Sequence, residues 1–170
     1  SETTMRRNRL AFDRLAFRPR VLVDVTNVDP STTILGHKMR IPVMPAPVGA
    51  LQRITPEGGA AASKAAAEFG TVNTISSVTE PSLEEIAASA DNTKFFQMYV
   101  LGDWAWIEDI VGRAKQAGYS ALCLTVDTAH YSRRERPMIQ GMALAPGEGP
   151  RYQAAVTWET VDRIKELLPV

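Results

Sequence analysis

An α/β fold with a parallel, helix-covered sheet is what this 170-residue sequence predicts, and three features predict it. Apolar, strand-like runs begin near Ile41 ("IPVMPAPV"), Thr71 ("TVNTISSV"), Lys94 ("KFFQMYV") and Ala121 ("ALCLTVDT"). A helical stretch follows each run, and such a succession of β-then-α units with nearly continuous apolar strands builds a parallel sheet buried by helices. The runs also end on polar or backbone-exposing residues, as "APVG", "TISS", "QMY" and "TVD". In closed barrels of alternating strands and helices the active site is assembled at that end of the strands, so this third feature favours a barrel over an open sheet. The GxGxxG turn of a dinucleotide-binding sheet occurs nowhere in the chain. That absence lowers the Rossmann alternative and leaves other doubly wound folds open.

Each element follows from local signals. Residues 1–40 are basic and irregular and close with "RPRVLVDVTNVDPSTTILGHKMR", in which β-branched runs flank Asp29-Pro30-Ser31. A small hairpin turning at those three residues is expected. From residue 41 to 170 the βα units follow. "TPEGGAAASKAAAEFG" predicts a helix with Thr55 as N-cap, Pro56 at the first helical position, Glu57 behind it and Gly70 as its stop. "EPSLEEIAASA" predicts a short helix with acidic residues in its first turn, where they complement the helix dipole. "DWAWIEDIVGRAKQAG" spaces Trp104, Ile107, Val111 and Ala114 at helical intervals and ends at Gly118, an amphipathic pattern. In "TWETVDRIKELLP", Thr157 caps a helix with Val161, Ile164 and Leu168 on one stripe. The connection "MIQGMALAPGEGPRYQAAV" is rich in Gly, Pro and Ala and reads as a mobile lid or a shortened loop.

Composition narrows the function classes. With 45% hydrophobic and 22% charged residues the chain resembles an ordinary soluble globular protein, able to bury one sizeable core. Nineteen basic residues balance nineteen acidic ones, so no global field favours nucleic acid or an anionic membrane. The single cysteine, Cys123, lies in the apolar run "ALCLTV". It is expected to be a buried, inert thiol, compatible with a reducing compartment. No uncharged apolar stretch approaches the roughly 20 residues of a membrane span, and "SETTMRRNRL" lacks an apolar signal core. A soluble, cytoplasmic protein is expected, with no metal site.

The polar residues of the strands carry the functional reading. Alternation along "FFQMYV" sends Gln97 and Tyr99 to one face with Phe95, and Phe96, Met98 and Val100 to the other. Thr74 and Ser76 from the preceding strand, with Thr125 and Asp127 from the following one, would join Gln97 and Tyr99 as walls of a polar site. An amide, hydroxyls and a phenol offer donors and acceptors to a flat heteroaromatic ring bearing nitrogens and carbonyls. Any one of them alone is better explained as a satisfied core polar group; their shared position on successive strands reverses that balance and favours a site. Asp127 must find a cation or donors to avoid a large desolvation cost, and pairing with Arg133 or Arg134 would suffice.

The segments "RNRLAFDRLAFRPRVLVDVTNVDPSTTILG", "PEGGAAASKAAAEFGT", "TISSV", "FFQMYV" and "ALCLTVDTAHYSRRER" together resemble the FMN-dependent 2-hydroxy acid oxidases and dehydrogenases. That family includes glycolate oxidase, mandelate dehydrogenase and lactate dehydrogenase of the flavocytochrome type. The likeness implies the N-terminal half, four βα units, of a (β/α)8 TIM barrel in which an (S)-2-hydroxy acid is oxidised to a 2-oxo acid by FMN. Position by position, it implies that the backbone of Pro47, Val48 and Gly49 passes beside the flavin. Ser76, Gln97 and Thr125 match the ring-binding polar residues. Tyr99 matches the tyrosine that contacts the substrate oxygen. Asp127 matches the aspartate that supports the catalytic histidine, and Arg134 an arginine near the substrate carboxylate, a role suited to a planar bidentate donor.

The resemblance also marks departures. The family's catalytic histidine, its neighbouring arginine, the lysine near the flavin and the phosphate site belong to later strands, and those motifs do not occur here. An N-terminal helical region with another substrate-contacting tyrosine is likewise missing. His37 and His130 are the only histidines, and loop roles are expected for both. Half a barrel exposes strand edges and an open core face, so a second polypeptide completing the barrel is expected, in a homo-oligomer that the family likeness makes a tetramer. The family often has Thr-Ala where Val48-Gly49 stands and a bulky aromatic where Val78 stands. Smaller residues there would enlarge the substrate pocket toward aryl acids such as mandelate. Membrane-bound relatives carry a lipid-binding segment between the fourth strand and the fourth helix; the apolar length for one is lacking here, which favours oxygen or a diffusible electron acceptor. Two other readings stay open: a non-catalytic half barrel serving assembly, and an FMN barrel of another kind such as an isomerase.

Overall fold

The computed structural model describes residues 2–130, 135–141 and 149–168. Contacts divide the chain into two units, Ser1–Asp29 with Tyr131–Pro146, and Pro30–His130 with Gly147–Val170. In the first unit, a helix α1 (Thr3–Asp13) replaces the irregular segment expected at the start. Its Arg, Leu, Met and Ala residues are strong helix formers, and the first proline comes only at position 19, so local propensity suffices. No residue of α1 is buried.

The second unit opens with β1 (Thr32–Ile34) and β2 (His37–Met39), an antiparallel pair. The hairpin forms as expected, but its turn is Leu35-Gly36 rather than Asp29-Pro30-Ser31. Both turn residues have positive φ, 46° and 80°, the left-handed pair that matches the twist of flanking strands. His37 therefore lies on a strand, its Nδ1 3.3 Å from Thr93 Oγ1, and not in a loop.

The run from Ile41 to Val48, expected as the first barrel strand, forms no ladder. Pro42, Pro45 and Pro47 lack the N–H groups that a ladder needs. The segment still runs beside the sheet: the Thr74 N–H donates to Pro45 O at 3.2 Å, and Thr71 Oγ1 donates to Val43 O at 2.6 Å. A 3-10 turn (Leu51–Arg53) follows.

Helix α2 (Gly59–Phe69) starts three residues later than Thr55 would set it. Gly58 has φ +52°, and a β-carbon there would stand 2.0 Å from the Glu80 carbonyl oxygen, which accepts the Gly59 N–H at 2.8 Å. The close approach of that loop, which only glycine permits, fixes the start. Gly70, at φ 72°, ends the helix as expected.

Strand β3 (Asn73–Ser76) is tied to α2 by a buried bond from Asn73 Nδ2 to Ser63 Oγ at 3.0 Å. Helix α3 (Leu83–Ala88) begins with a capping box between Ser82 and Glu85. Strand β4 (Lys94–Met98) is followed by α4 (Trp104–Gln116), whose cap Asp103 accepts the Trp106 N–H at 3.1 Å. Strand β5 (Ala121–Leu124) completes a parallel sheet in the order β3-β4-β5. Helix α5 (Glu135–Ile139) belongs to the first unit, where Arg136 pairs with Glu2. Helices α6 (Gly149–Ala154) and α7 (Trp158–Leu167) follow. Thus part of the connection read as a lid or shortened loop is helical. In α7, Thr157 forms the expected cap and Ile164 is buried.

The sheet's two faces differ in character. Phe96, Met98 and Val100 pack with Leu83, Ile107, Val111, Ala114 and Ile164 under α3, α4 and α7. On the opposite face Phe95 packs with Met39 and Val72, and the His37 ring meets it edge-on at 6.1 Å. The hairpin thus covers the N-terminal ends of the strands. Lys94, 5% exposed, donates to Ala90 O at 2.5 Å and Asn92 O at 3.2 Å beyond the end of α3. Burial pushes its ammonium below the usual lysine range, partly countered by Asp91. Among the described residues no helix is long and apolar enough to cross a membrane.

Candidate flavin site

Parallel register places Ser76 opposite Gln97, and Gln97 opposite Cys123. Because opposed residues of parallel strands share a face, Thr74, Ser76, Gln97, Cys123 and Thr125 line the side turned away from α3, α4 and α7. Gln97 links three strands there. Ser76 Oγ donates to Gln97 Oε1 at 2.9 Å, and Gln97 Nε2 donates to Thr125 Oγ1 at 2.7 Å. Ser76 and Gln97 are buried and Thr125 is half-buried. The chain of bonds runs one way, so it leaves the second Gln97 N–H and the Thr125 hydroxyl proton as donors.

The ends of β3 and β4 are interlocked just beyond this row. The Ser77 N–H donates to Gln97 O at 2.8 Å, and Ser77 Oγ accepts the Tyr99 N–H at 3.2 Å. Tyr99 is half-buried, and its phenol has no hydrogen bond among the described residues. Ser77 was not singled out from sequence; the doublet Ser76-Ser77 at a strand end was the available signal. Thr74 Oγ1 and Thr128 Oγ1 are buried without hydrogen-bond partners.

Gly49 lies beside this row. A β-carbon on it would stand 2.7 Å from Val78 Cγ2 and 3.8 Å from Ser76 Oγ. Val78 therefore fills the space that a side chain at Gly49 would need, and the two positions form one contact. Pro47, Val48 and Gly49 are exposed, and the Ala50 N–H donates to Val78 O at 2.9 Å, which anchors the segment to the C-terminal end of β3. Asp127 is exposed and forms no ion pair among the described residues. Arg134 and Arg133 lie outside the described residues. His130 is exposed.

Cys123 corrects the expectation of a buried thiol: it is exposed on this same face. An apolar strand reads as buried on both sides, whereas here only the helix-facing side is covered. Partial burial still pushes the thiol pKa up, which disfavours the reactive thiolate.

Hydroxyls and an amide with spare donors, an orphaned buried hydroxyl at Thr74 and an exposed backbone segment at Pro47-Val48-Gly49 fit a planar ring carrying carbonyls and ring nitrogens. The chain matches the FMN-dependent dehydrogenase family over residues 1–167. It belongs to that family. Glycolate oxidase 1 of Zea mays is 43% identical over 145 residues, which cover 85% of this chain and 39% of that protein. A solved mandelate oxidase variant with an FMN adduct aligns with a TM-score of 0.85 and 33% identity, over 100% of this chain and 52% of that one. A doubly substituted flavocytochrome b2 with sulfite bound aligns with a TM-score of 0.87 and 28% identity, over 98% of this chain and 44% of that one. The chain thus spans about 39% of the length of the glycolate oxidase and about half that of the mandelate oxidase. The TIM-barrel portion it represents is the N-terminal one.

Proposed function

We propose that this chain contributes the flavin cradle of an FMN-dependent oxidoreductase that converts an (S)-2-hydroxy acid to the 2-oxo acid. The observation that carries the reading is the directed hydrogen-bond row Ser76, Gln97, Thr125 across three adjacent strands at one end of the sheet. FMN, when bound, supplies the acceptor for the two electrons lost by the substrate. Gln97 and Thr125 hold the ring by their spare donors and Ser76 by its hydroxyl oxygen, while the backbone of Pro47, Val48 and Gly49 bounds it. Tyr99 binds the substrate oxygen through its phenol. Arg134 pairs with the substrate carboxylate. Asp127 holds the proton-accepting histidine of the family in orientation by accepting a hydrogen bond from it; that base comes from the rest of the barrel, carried by a second polypeptide or by further sequence. The assembled enzyme is a homo-oligomer, and a cytoplasmic one.

The substrate preference rests on Gly49 and Val78. Their mutual contact means that a larger side chain at either position would displace the other. The small pair leaves room for an aryl-substituted acid such as mandelate beside the cradle.

Titration of FMN into the assembled apoenzyme tests the cradle. Gln97→Leu, close in size but without polar atoms, strands the Ser76 and Thr125 hydroxyls and is expected to weaken FMN about tenfold or more. Unchanged affinity would remove Gln97 from the cradle, and a wild-type protein that neither turns yellow nor turns over would instead favour a non-catalytic half barrel that serves assembly.

A further inference from the structure

Regular pairing of β3 and β4 ends at Ser76 and Gln97, yet the substrate-facing tyrosine sits two residues further on. At that point the ladder has no backbone carbonyl for the Tyr99 N–H. The Ser77 hydroxyl takes its place, accepting the Tyr99 N–H at 3.2 Å, while the Ser77 N–H returns to Gln97 O at 2.8 Å. One serine thus clasps β4 on both sides of Met98, through its side chain on one and its backbone on the other. The clasp is separate from the cofactor row, because Ser76, Gln97 and Thr125 join through their own side chains.

We propose that Ser77 is a positioning residue, which fixes the backbone of Tyr99 and thereby the place of its phenol over the substrate. The proposal rests on the role given to Tyr99 above. With no hydrogen bond among the described residues to steady the phenol, its position follows from the backbone and from packing. A loosened Tyr99 backbone spreads the phenol over several positions and weakens contact with the substrate oxygen, a loss that small displacements suffice to cause.

The FMN-loaded, assembled enzyme tests this with Ser77→Ala, Ser77→Cys and Ser77→Thr beside Tyr99→Phe. Residue-resolved amide exchange is expected to quicken at Tyr99 by about threefold to tenfold in Ser77→Ala, the equivalent of one hydrogen bond. Exchange at Ser77 and Thr125, whose N–H groups bond to Gln97 O and Met98 O, should hold. In steady-state kinetics Ser77→Ala and Ser77→Cys are expected to impair turnover of the hydroxy acid in the manner of Tyr99→Phe, with FMN affinity retained, and Ser77→Thr to restore it. Combining Ser77→Ala with Tyr99→Phe should add little to Tyr99→Phe alone. If Tyr99→Phe impairs turnover while Ser77→Ala alters neither exchange nor kinetics, Ser77 does not position Tyr99. Loss of FMN in Ser77→Ala comparable to that in Gln97→Leu overturns the proposal by assigning Ser77 to the cradle. Full activity in Tyr99→Phe refutes the role of Tyr99 itself, whatever Ser77 does.

Discussion

A glutamine amide at the centre of a parallel sheet has two donor hydrogens and an acceptor oxygen to satisfy, and Gln97 satisfies them selectively. Its oxygen is engaged by Ser76 and one N–H by Thr125, so the remaining N–H is held in a fixed direction by bonds that do not compete for it. Gly49 shows the same economy in steric terms. A β-carbon there would press on Val78 Cγ2 at 2.7 Å, too close for any real contact, so Gly49→Ala must push the Val78 side chain aside. In the assembled enzyme Gly49→Ala is expected to raise KM for mandelate more than for glycolate; steady-state kinetics on both acids checks this, and equal changes would remove the pair from specificity. Gln97 and its neighbours were legible in sequence because strand alternation with period two assigns faces without knowledge of tertiary structure. Ser77 was not, because its importance arises only where pairing stops, and sequence does not place a ladder's last bond.

At the scale of elements, helices with apolar spacing were read closely, and the proline-rich run and the start of α2 were not. Ser82, Asp103 and Thr157 cap α3, α4 and α7; of these caps only Thr157 was read from sequence, and the apolar stripes only in α4 and α7. The Ile41 to Val48 run looked like a strand by hydrophobicity, yet its three prolines withhold the donors a ladder requires. The apparent cap at Thr55 lost to the demand of the Gly58-Gly59 backbone for the Glu80 carbonyl. Helices α3 and α4 are joined by Arg113, which donates to both Glu84 carboxylate oxygens at 2.7 and 3.1 Å. Those hydrogen bonds hold the Glu84 carboxyl below its ordinary value of 4.5. The unfolded chain therefore binds more protons just below that value. The pair's stabilisation is complete above it and fades as pH falls through the lowered pKa. Both side chains are more than two-fifths exposed, so Glu84→Gln should cost under about 1 kcal/mol at pH 7. Thermal midpoints measured from pH 7 down to about 3 should converge for variant and wild type, and high salt should narrow the gap at neutral pH.

For the molecule as a whole, coverage is uneven. In the second unit α3, α4 and α7 bury one face of the sheet, while the edge of β5 borders a groove of 660 Å³ lined by Leu122, Leu124, Val161, Ile164 and Leu168. In the first unit Phe17 and Leu22 are fully exposed, and Phe12 and Leu15 are each 76% exposed. Apolar surface on this scale marks interaction sites, and the chain matches about half the length of the mandelate oxidase. The barrel reading drew on the ends of the strands, where polar residues cluster. The exposed surfaces were less legible, because an apolar residue in sequence does not reveal which of its neighbours are present to bury it.

The single sulfhydryl of the chain turns that uneven coverage into a gauge. Cys123 stands on the cradle side of β5, opposite Gln97 and open to solvent. A maleimide should modify it in the isolated chain, and faster as pH rises, because burial holds the thiol above its ordinary pKa. Protection should appear when the complementary strands close over it, and intact mass spectrometry would read the adduct. Equal modification before and after assembly would mean that this side of the sheet never becomes an interior.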